Sequence, residues 1–182
     1  YPLLVAVHSE KETARDAVNL WGPLADRDNY ILMCPAFPSG FEMLQNKEDL
    51  WLMHILLELR NDFPYDQNKV YFVGFSGGAE CVHRIAFKRS NIVQGVCMFA
   101  AGAYDAPPTL MRNRQVKFFV GVGEKDDFIK DNRVAKAQKF YNMLKVTRYD
   151  VTFKIYPETG QELTEEMRED AMKFFNMMRK SQ

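Results

Sequence analysis

The sequence is poor in the residues that staple or metallate small folds. Its 182 residues include three cysteines, Cys34, Cys81 and Cys97, far apart and without a C-x-x-C pair, so no disulfide framework or thiolate zinc knot is expected. The three histidines, His8, His54 and His83, are scattered, which argues against a metal centre. Net charge is also missing. Lys and Arg total 24 against 24 for Asp and Glu, which removes the electrostatic signature of a nucleic-acid binder. Lys88, Arg89, Arg112, Arg114 and Lys117 read as solvated edges. No apolar run is long enough to span a bilayer. Repeats, low-complexity tracts and linkers are absent as well, so one domain over residues 1–182 is expected. The chain opens on Tyr1 and enters a strand at once. That reads as a start preceded by a signal peptide, a pro-segment or earlier strands, and it leaves cytoplasmic and exported readings both open.

What is present is alternation. With 47% hydrophobic residues the chain can build a sizeable core, and its apolar runs come in two periods. Six short runs read as strands: Pro2–Val7, Tyr30–Cys34, Val70–Gly74, Ile92–Phe99, Val116–Val122 and Val151–Tyr156. Between them lie helical patterns. One carries Ala17, Leu20, Trp21 and Leu24, with Gly22-Pro23 expected to restart the helix. A second, residues 46–63, has Leu50, Met53 and Leu57 as its apolar stripe, and His54 reads there as a packing residue. A helix follows Gly78, another carries Val134, Ala137, Tyr141 and Leu144, and the last runs from Thr164 to Arg179 with methionines and phenylalanines as core filling. Strand–helix alternation with short connections predicts an α/β fold: a six-stranded parallel sheet between two helical layers. The expected spatial order puts the Tyr30 strand first, then those starting at Pro2, Val70, Ile92, Val116 and Val151.

The chemistry concentrates at Val70–Glu80, VYFVGFSGGAE. Gly74-Phe75-Ser76-Gly77-Gly78 is G-x-S-x-G between a buried strand and a helix, the context that makes a nucleophile elbow of it. A tight strand-to-helix reversal leaves no room for side chains at Gly74 or Gly78, and it lifts the Ser76 hydroxyl beside the free N–H groups of a helix start. The blander reading is a glycine-rich turn with an ordinary serine. Neither G-x-x-x-x-G-K-[ST] nor G-x-G-x-x-G is present, so phosphate cradling fits poorly.

Through nearly its whole length the chain resembles the α/β-hydrolase superfamily, in particular its small esterases of the polyhydroxybutyrate-depolymerase, feruloyl-esterase and phospholipase/carboxylesterase types. Pro2–His8 is similar to the strand leading into the oxyanion loop, and Gly121-Val122-Gly123-Glu124-Lys125-Asp126 to the loop that carries the acid. The superfamily's first two strands are missing, so the resemblance implies a shortened sheet. It implies Ser76 as nucleophile, Asp126 as acid with Asp127 as runner-up, and the N–H groups of Gly77 and Ser9 as oxyanion donors. It requires no metal or organic cofactor. The order Ser76 then Asp126 matches the superfamily's Ser…Asp…His order.

The third member departs from the pattern. Thr159-Gly160-Gln161-Glu162-Leu163 resembles the Gly-His-Glu-Leu passage before the closing helix, with Gln161 at the histidine position. An amide cannot take the serine proton and carry the charge. Engineered replacement, natural loss leaving a ligand-binding pseudoenzyme, and recruitment of another histidine all remain open. His83 lies seven residues past Ser76, about 10 Å down the same helix, and reads as packing. His8, at the end of the first strand, is the histidine nearest the site, and Glu162 is a remote substitute. Histidine restored at position 161 is expected to restore ester hydrolysis if Asp126 and the oxyanion loop are still arranged to use it. Phe37, Phe41, Phe75, Tyr104 and His8 fall at strand ends and could line an acyl or aryl pocket. The short Ala100–Gln115 connection leaves no room for a lid, so small soluble, aryl or polymer-borne esters are the expected partners.

Overall fold

The computed structural model describes residues 1–37, 47–108, 115–126 and 132–180. β1 (Leu3–Val7) leads through α1 (Ala14–Asp28) to β2 (Ile31–Met33), and α2 (Glu48–Asp62) leads to β3 (Val70–Phe75). Then follow α3 (Gly77–Lys88), β4 (Val93–Phe99), β5 (Lys117–Gly123), α4 (Arg133–Val146), β6 (Asp150–Tyr156) and α5 (Glu165–Lys180). The strands form one six-stranded sheet in the order β2-β1-β3-β4-β5-β6, every pair parallel, as the alternation predicts.

Successive side chains of a strand face opposite sides, so each buried strand feeds two cores. Leu3, Val5 and Val7 of β1, Phe72 of β3 and Phe118 of β5 pack with α2, α3 and α4. Leu4 and Ala6 of β1, Tyr71 and Val73 of β3 and Phe119 of β5 pack with α1 and α5. The result is a three-layer sandwich. Among the described residues no helix is inserted between β4 and β5. None of the described helices is long and apolar enough to cross a membrane.

Four local expectations are corrected. α1 runs unbroken through Pro23, with a Thr13–Asp16 capping box at its start and Asn29 in the left-handed region at its end. In α2 the buried stripe is Leu52 and Leu56, whereas Leu50 and Leu57 are 57% and 64% exposed. From Leu50 to Leu59 that helix is apolar at every position but His54 and Glu58, so periodicity alone does not choose its face. The buried Asp49 carboxylate, paired with Arg89 at 2.7 Å and Lys88 at 3.5 Å on α3, helps set the choice. His54 consequently points outward and pairs with Glu58 at 3.3 Å rather than packing on the sheet. The closing helix buries Met167, Met172, Phe174, Phe175 and Met178 as expected, but Met177 is exposed.

The chain leaves β1 towards β2 on one side and returns as β3 on the other. The carboxyl ends of β1 and β3 therefore flank the point where the strand order reverses, the crevice where open α/β sheets hold their sites.

Candidate active site

Ser76 joins β3 to α3 in this crevice. Its backbone has φ 52° and ψ −121°, a conformation L-residues rarely adopt. The reversal is held by the Ser76 N–H, which donates to the Phe99 carbonyl at 2.9 Å, and by the Ser76 carbonyl, which accepts from Ala79 and Glu80. Close approach explains the glycines on either side. A Cβ on Gly78 would lie 2.3 Å from the Val7 carbonyl oxygen, and one on Gly74 would lie 2.3 Å from the Gly78 backbone.

The start of α3 has no side-chain cap of its own. The carboxylate of Glu10, on the loop after β1, lies there instead. One of its oxygens accepts from the Gly77 N–H at 3.3 Å and from the Ser76 hydroxyl at 3.5 Å. Its neighbour Glu12 accepts from the Ser9 N–H at 3.0 Å. Both N–H groups expected as oxyanion donors thus face carboxylates of the chain's own Glu10–Glu12 turn. Burial, and after it the charge of Glu10, pushes the nearby Glu80 carboxyl above its ordinary range.

Asp126 lies just past β5, at the same edge of the sheet, and is 1% exposed. Backbone bonds draw the loop after β6 against it. The Glu124 N–H donates to Tyr156 at 2.9 Å and the Lys125 N–H to Thr159 at 2.8 Å, and a Lys125–Glu158 ion pair adds to this. This brings Gln161 into a cavity of about 210 Å³ that it lines together with Ser9, Glu10, Phe75 and Ser76.

Between Asp126 and Gln161 stands a residue that the sequence pattern did not single out. Arg133, the first residue of α4, has Nε 3.8 Å from an Asp126 carboxylate oxygen, with both side chains largely buried. With the Gln161 amide oxygen turned towards it, that oxygen accepts from Nη1 at 2.8 Å and Nη2 at 3.0 Å. Nη1 also donates to the Ala100 carbonyl. One signal was available. A cation in the first turn opposes the helix dipole, and α4 has Arg133 and Lys136 there with no acid, so anionic or carbonyl partners had to be supplied from outside the helix. Lys136 meets the Gly102 carbonyl at 2.9 Å.

The remaining candidates are dispersed. His8 turns its Nδ1–H to the Ser9 carbonyl at 2.7 Å and packs edge-on to Phe37, which in turn packs on Trp51 in the core. Tyr104 stacks on Phe140 with centroids 4.4 Å apart and lines a separate cavity with Lys136 and Met143. His83 is buried beside it, its Nε2 accepting from the Asp105 N–H at 2.9 Å. Glu162 is exposed. Phe41 and Asp127 lie outside the described residues. None of the cysteines forms a disulfide, and burial pushes the Cys34 thiol up to about 12 and that of Cys97 well above its ordinary value.

Comparison with known proteins places the fold and the chain. Among solved structures, an uncharacterized protein from Bacillus cereus superposes over 100% of this chain with a TM-score of 0.78 at 19% identity; the chain spans 60% of that protein's length. A carboxylesterase from Bacillus cereus superposes over 97% of this chain and 88% of its own, with a TM-score of 0.78 and 16% identity. SOBER1 from Arabidopsis thaliana does so over 97% and 98%, with a TM-score of 0.76 and 10% identity. No curated protein matches the chain in sequence. At these identities the likeness establishes the fold, the α/β-hydrolase sandwich. The family follows from the sequence itself: residues 39–175 match the family model for dienelactone hydrolases, and the chain belongs to the dienelactone hydrolase family.

Proposed function

We propose that this member of a hydrolase family acts on small carboxylic esters by acyl transfer to Ser76, and that it does so slowly. The observation that carries the reading is the backbone of Ser76, held at positive φ at the tip of β3 and aimed into a cavity beside the start of α3. A strained turn is retained where it positions a reacting group. In this reading the Ser76 hydroxyl attacks the ester carbonyl carbon, the Gly77 N–H and a second N–H at Ser9 take the developing oxyanion, and the alcohol leaves. Water then cleaves the acyl-enzyme. Asp126 stands at the acid position and Gln161 at that of the base. Glutamine cannot accept the serine proton, and loss of a triad histidine costs on the order of 10⁶ in kcat. Residual turnover over water, about 10³–10⁴, would come from oxyanion stabilisation and binding. A cavity of about 210 Å³ suits a short acyl or aryl group.

The test is hydrolysis of p-nitrophenyl acetate, with the acylated residue identified by mass spectrometry after reaction with a fluorophosphonate. Slow hydrolysis that disappears in Ser76→Ala, with the label on Ser76, supports the reading. Activity equal in both proteins refutes it. A second reading is a non-catalytic binding module, favoured by the ion pair of Arg133 with Asp126 and by the glutamate carboxylates facing both expected oxyanion donors. It predicts ligand binding in the cavity with no covalent adduct at Ser76.

A further inference from the structure

We infer that Arg133 has taken the place of a relay imidazole as the partner of Asp126, and is a positioning residue that fixes Gln161 and keeps position 161 from serving as a base. This rests on the reading of Ser76 as nucleophile and of Asp126 and Gln161 as the acid and base positions. The guanidinium spans those two side chains, with Nε towards the carboxylate and both terminal nitrogens on the glutamine oxygen. It is anchored a third time at the Ala100 carbonyl, at the end of β4. A relay imidazole begins neutral, takes the serine proton and is then stabilised as a cation by the acid beside it. Guanidinium has only donors and stays charged throughout the accessible pH range. It sets a positive charge 3.8 Å from the Asp126 carboxylate, yet it can accept nothing from Ser76.

The consequence concerns more than one position. An imidazole introduced at 161 would meet a fixed cation rather than a carboxylate seeking a partner. Its protonation would set two positive charges side by side, which lowers the imidazole pKa and opposes the step a base must perform. The substitution of histidine alone is therefore insufficient, because the condition attached to it, an Asp126 arranged to use the imidazole, is not met while Arg133 stands between them. Two changes are needed, one supplying the imidazole and one releasing Asp126. Removing Arg133 takes a cation away from a buried carboxylate, and a protonated imidazole at 161 would replace it.

The experiment compares Gln161→His, Gln161→His with Arg133→Gln, and Gln161→His with Arg133→Lys, the last keeping a cation beside Asp126. The first readout is the pKa of the imidazole at 161 by NMR, which needs no activity. The second is kcat/KM for p-nitrophenyl acetate, with Ser76→Ala as the blank. In the single variant and the lysine variant the imidazole should titrate below the ordinary value of about 6.5. With Arg133→Gln it should titrate at least one unit higher than in the single variant, and kcat/KM should rise at least 100-fold over it. Equal pKa values in the single and Arg133→Gln proteins would overturn the inference, as would a single variant as fast as the double. If the pKa moves as expected but no variant exceeds the Ser76→Ala blank, Arg133 holds Asp126 as inferred and the nucleophile reading falls instead. Should the Arg133→Gln protein not fold, the single variant still decides: an imidazole titrating at or above 6.5 refutes the role given to Arg133.

Discussion

Replacing Ser76 by glycine and, in parallel, by alanine isolates the backbone strain of the elbow. Both substitutions remove the hydroxyl and its 3.5 Å contact with Glu10, so that loss cancels in the comparison. What differs is tolerance of φ 52°, ψ −121°. A non-glycine residue in such a region costs about 1–3 kcal/mol, which glycine does not incur. Against this, glycine enlarges the entropy of the unfolded chain by about 0.4–1 kcal/mol. Ser76→Gly should therefore be more stable than Ser76→Ala by roughly 1–2 kcal/mol. With a urea m-value of about 2 kcal/mol/M, the midpoint should differ by roughly 0.5–1 M. In a thermal scan the same difference amounts to about 2–8 °C for a chain of this size. Urea unfolding followed by tryptophan fluorescence and far-UV circular dichroism measures it, with coincident transitions required. A glycine variant with a midpoint equal to or below that of the alanine variant would mean that no strain is stored at Ser76. The argument from backbone geometry to a reacting serine would then lose its support.

The glycines should respond with opposite signs. Gly78→Ala forces a methyl to within 2.3 Å of the Val7 carbonyl oxygen, where no rotamer change gives relief, and should cost about 3 kcal/mol or more. Gly22→Ala, in open space inside α1, should stabilise by about 1 kcal/mol in the same urea titration. Glu10→Ala should expose the Gly77 amide, which lies in the first turn of α3 and has no intrahelical acceptor. Its hydrogen exchange should accelerate about tenfold or more, while Glu12→Ala leaves it unchanged and frees the Ser9 amide instead. The Asp28 carboxyl is held below its ordinary range, first by the hydrogen bonds from Arg27 and further by Asn176 of α5. A depressed folded-state pKa contributes stability above the unfolded value near 3.9 and loses it as pH falls through the folded value. Asp28→Asn should thus flatten the stability profile below about pH 4 and leave its shape near neutrality unchanged.

Local regularities were enough to lay out the scaffold. The four inner strands are short apolar runs buried on both faces, crossovers between parallel strands are right-handed, and six strands with short connections admit few topologies. The elbow was legible for the same reason. Gly74 answers to a clash with the Gly78 backbone four residues on, and sequence records local sterics directly, whereas Gly78 answers to the Val7 carbonyl of the neighbouring strand. The face of α2 was not legible, because a stretch apolar from Leu50 to Leu59 but for His54 and Glu58 carries no preferred stripe and the buried Asp49–Arg89 pair, 40 residues apart, bears on the choice. The surroundings of Ser76 lay furthest out of reach. Glu10 is 66 residues from Ser76, and Arg133 reaches Gln161 only because backbone bonds draw the loop after β6 onto the end of β5. Pairings of that kind are long-range and electrostatic, indifferent to local period. The tertiary structure alone decided them, since a charge finds its partner by where the sheet brings it and not by its neighbours along the chain.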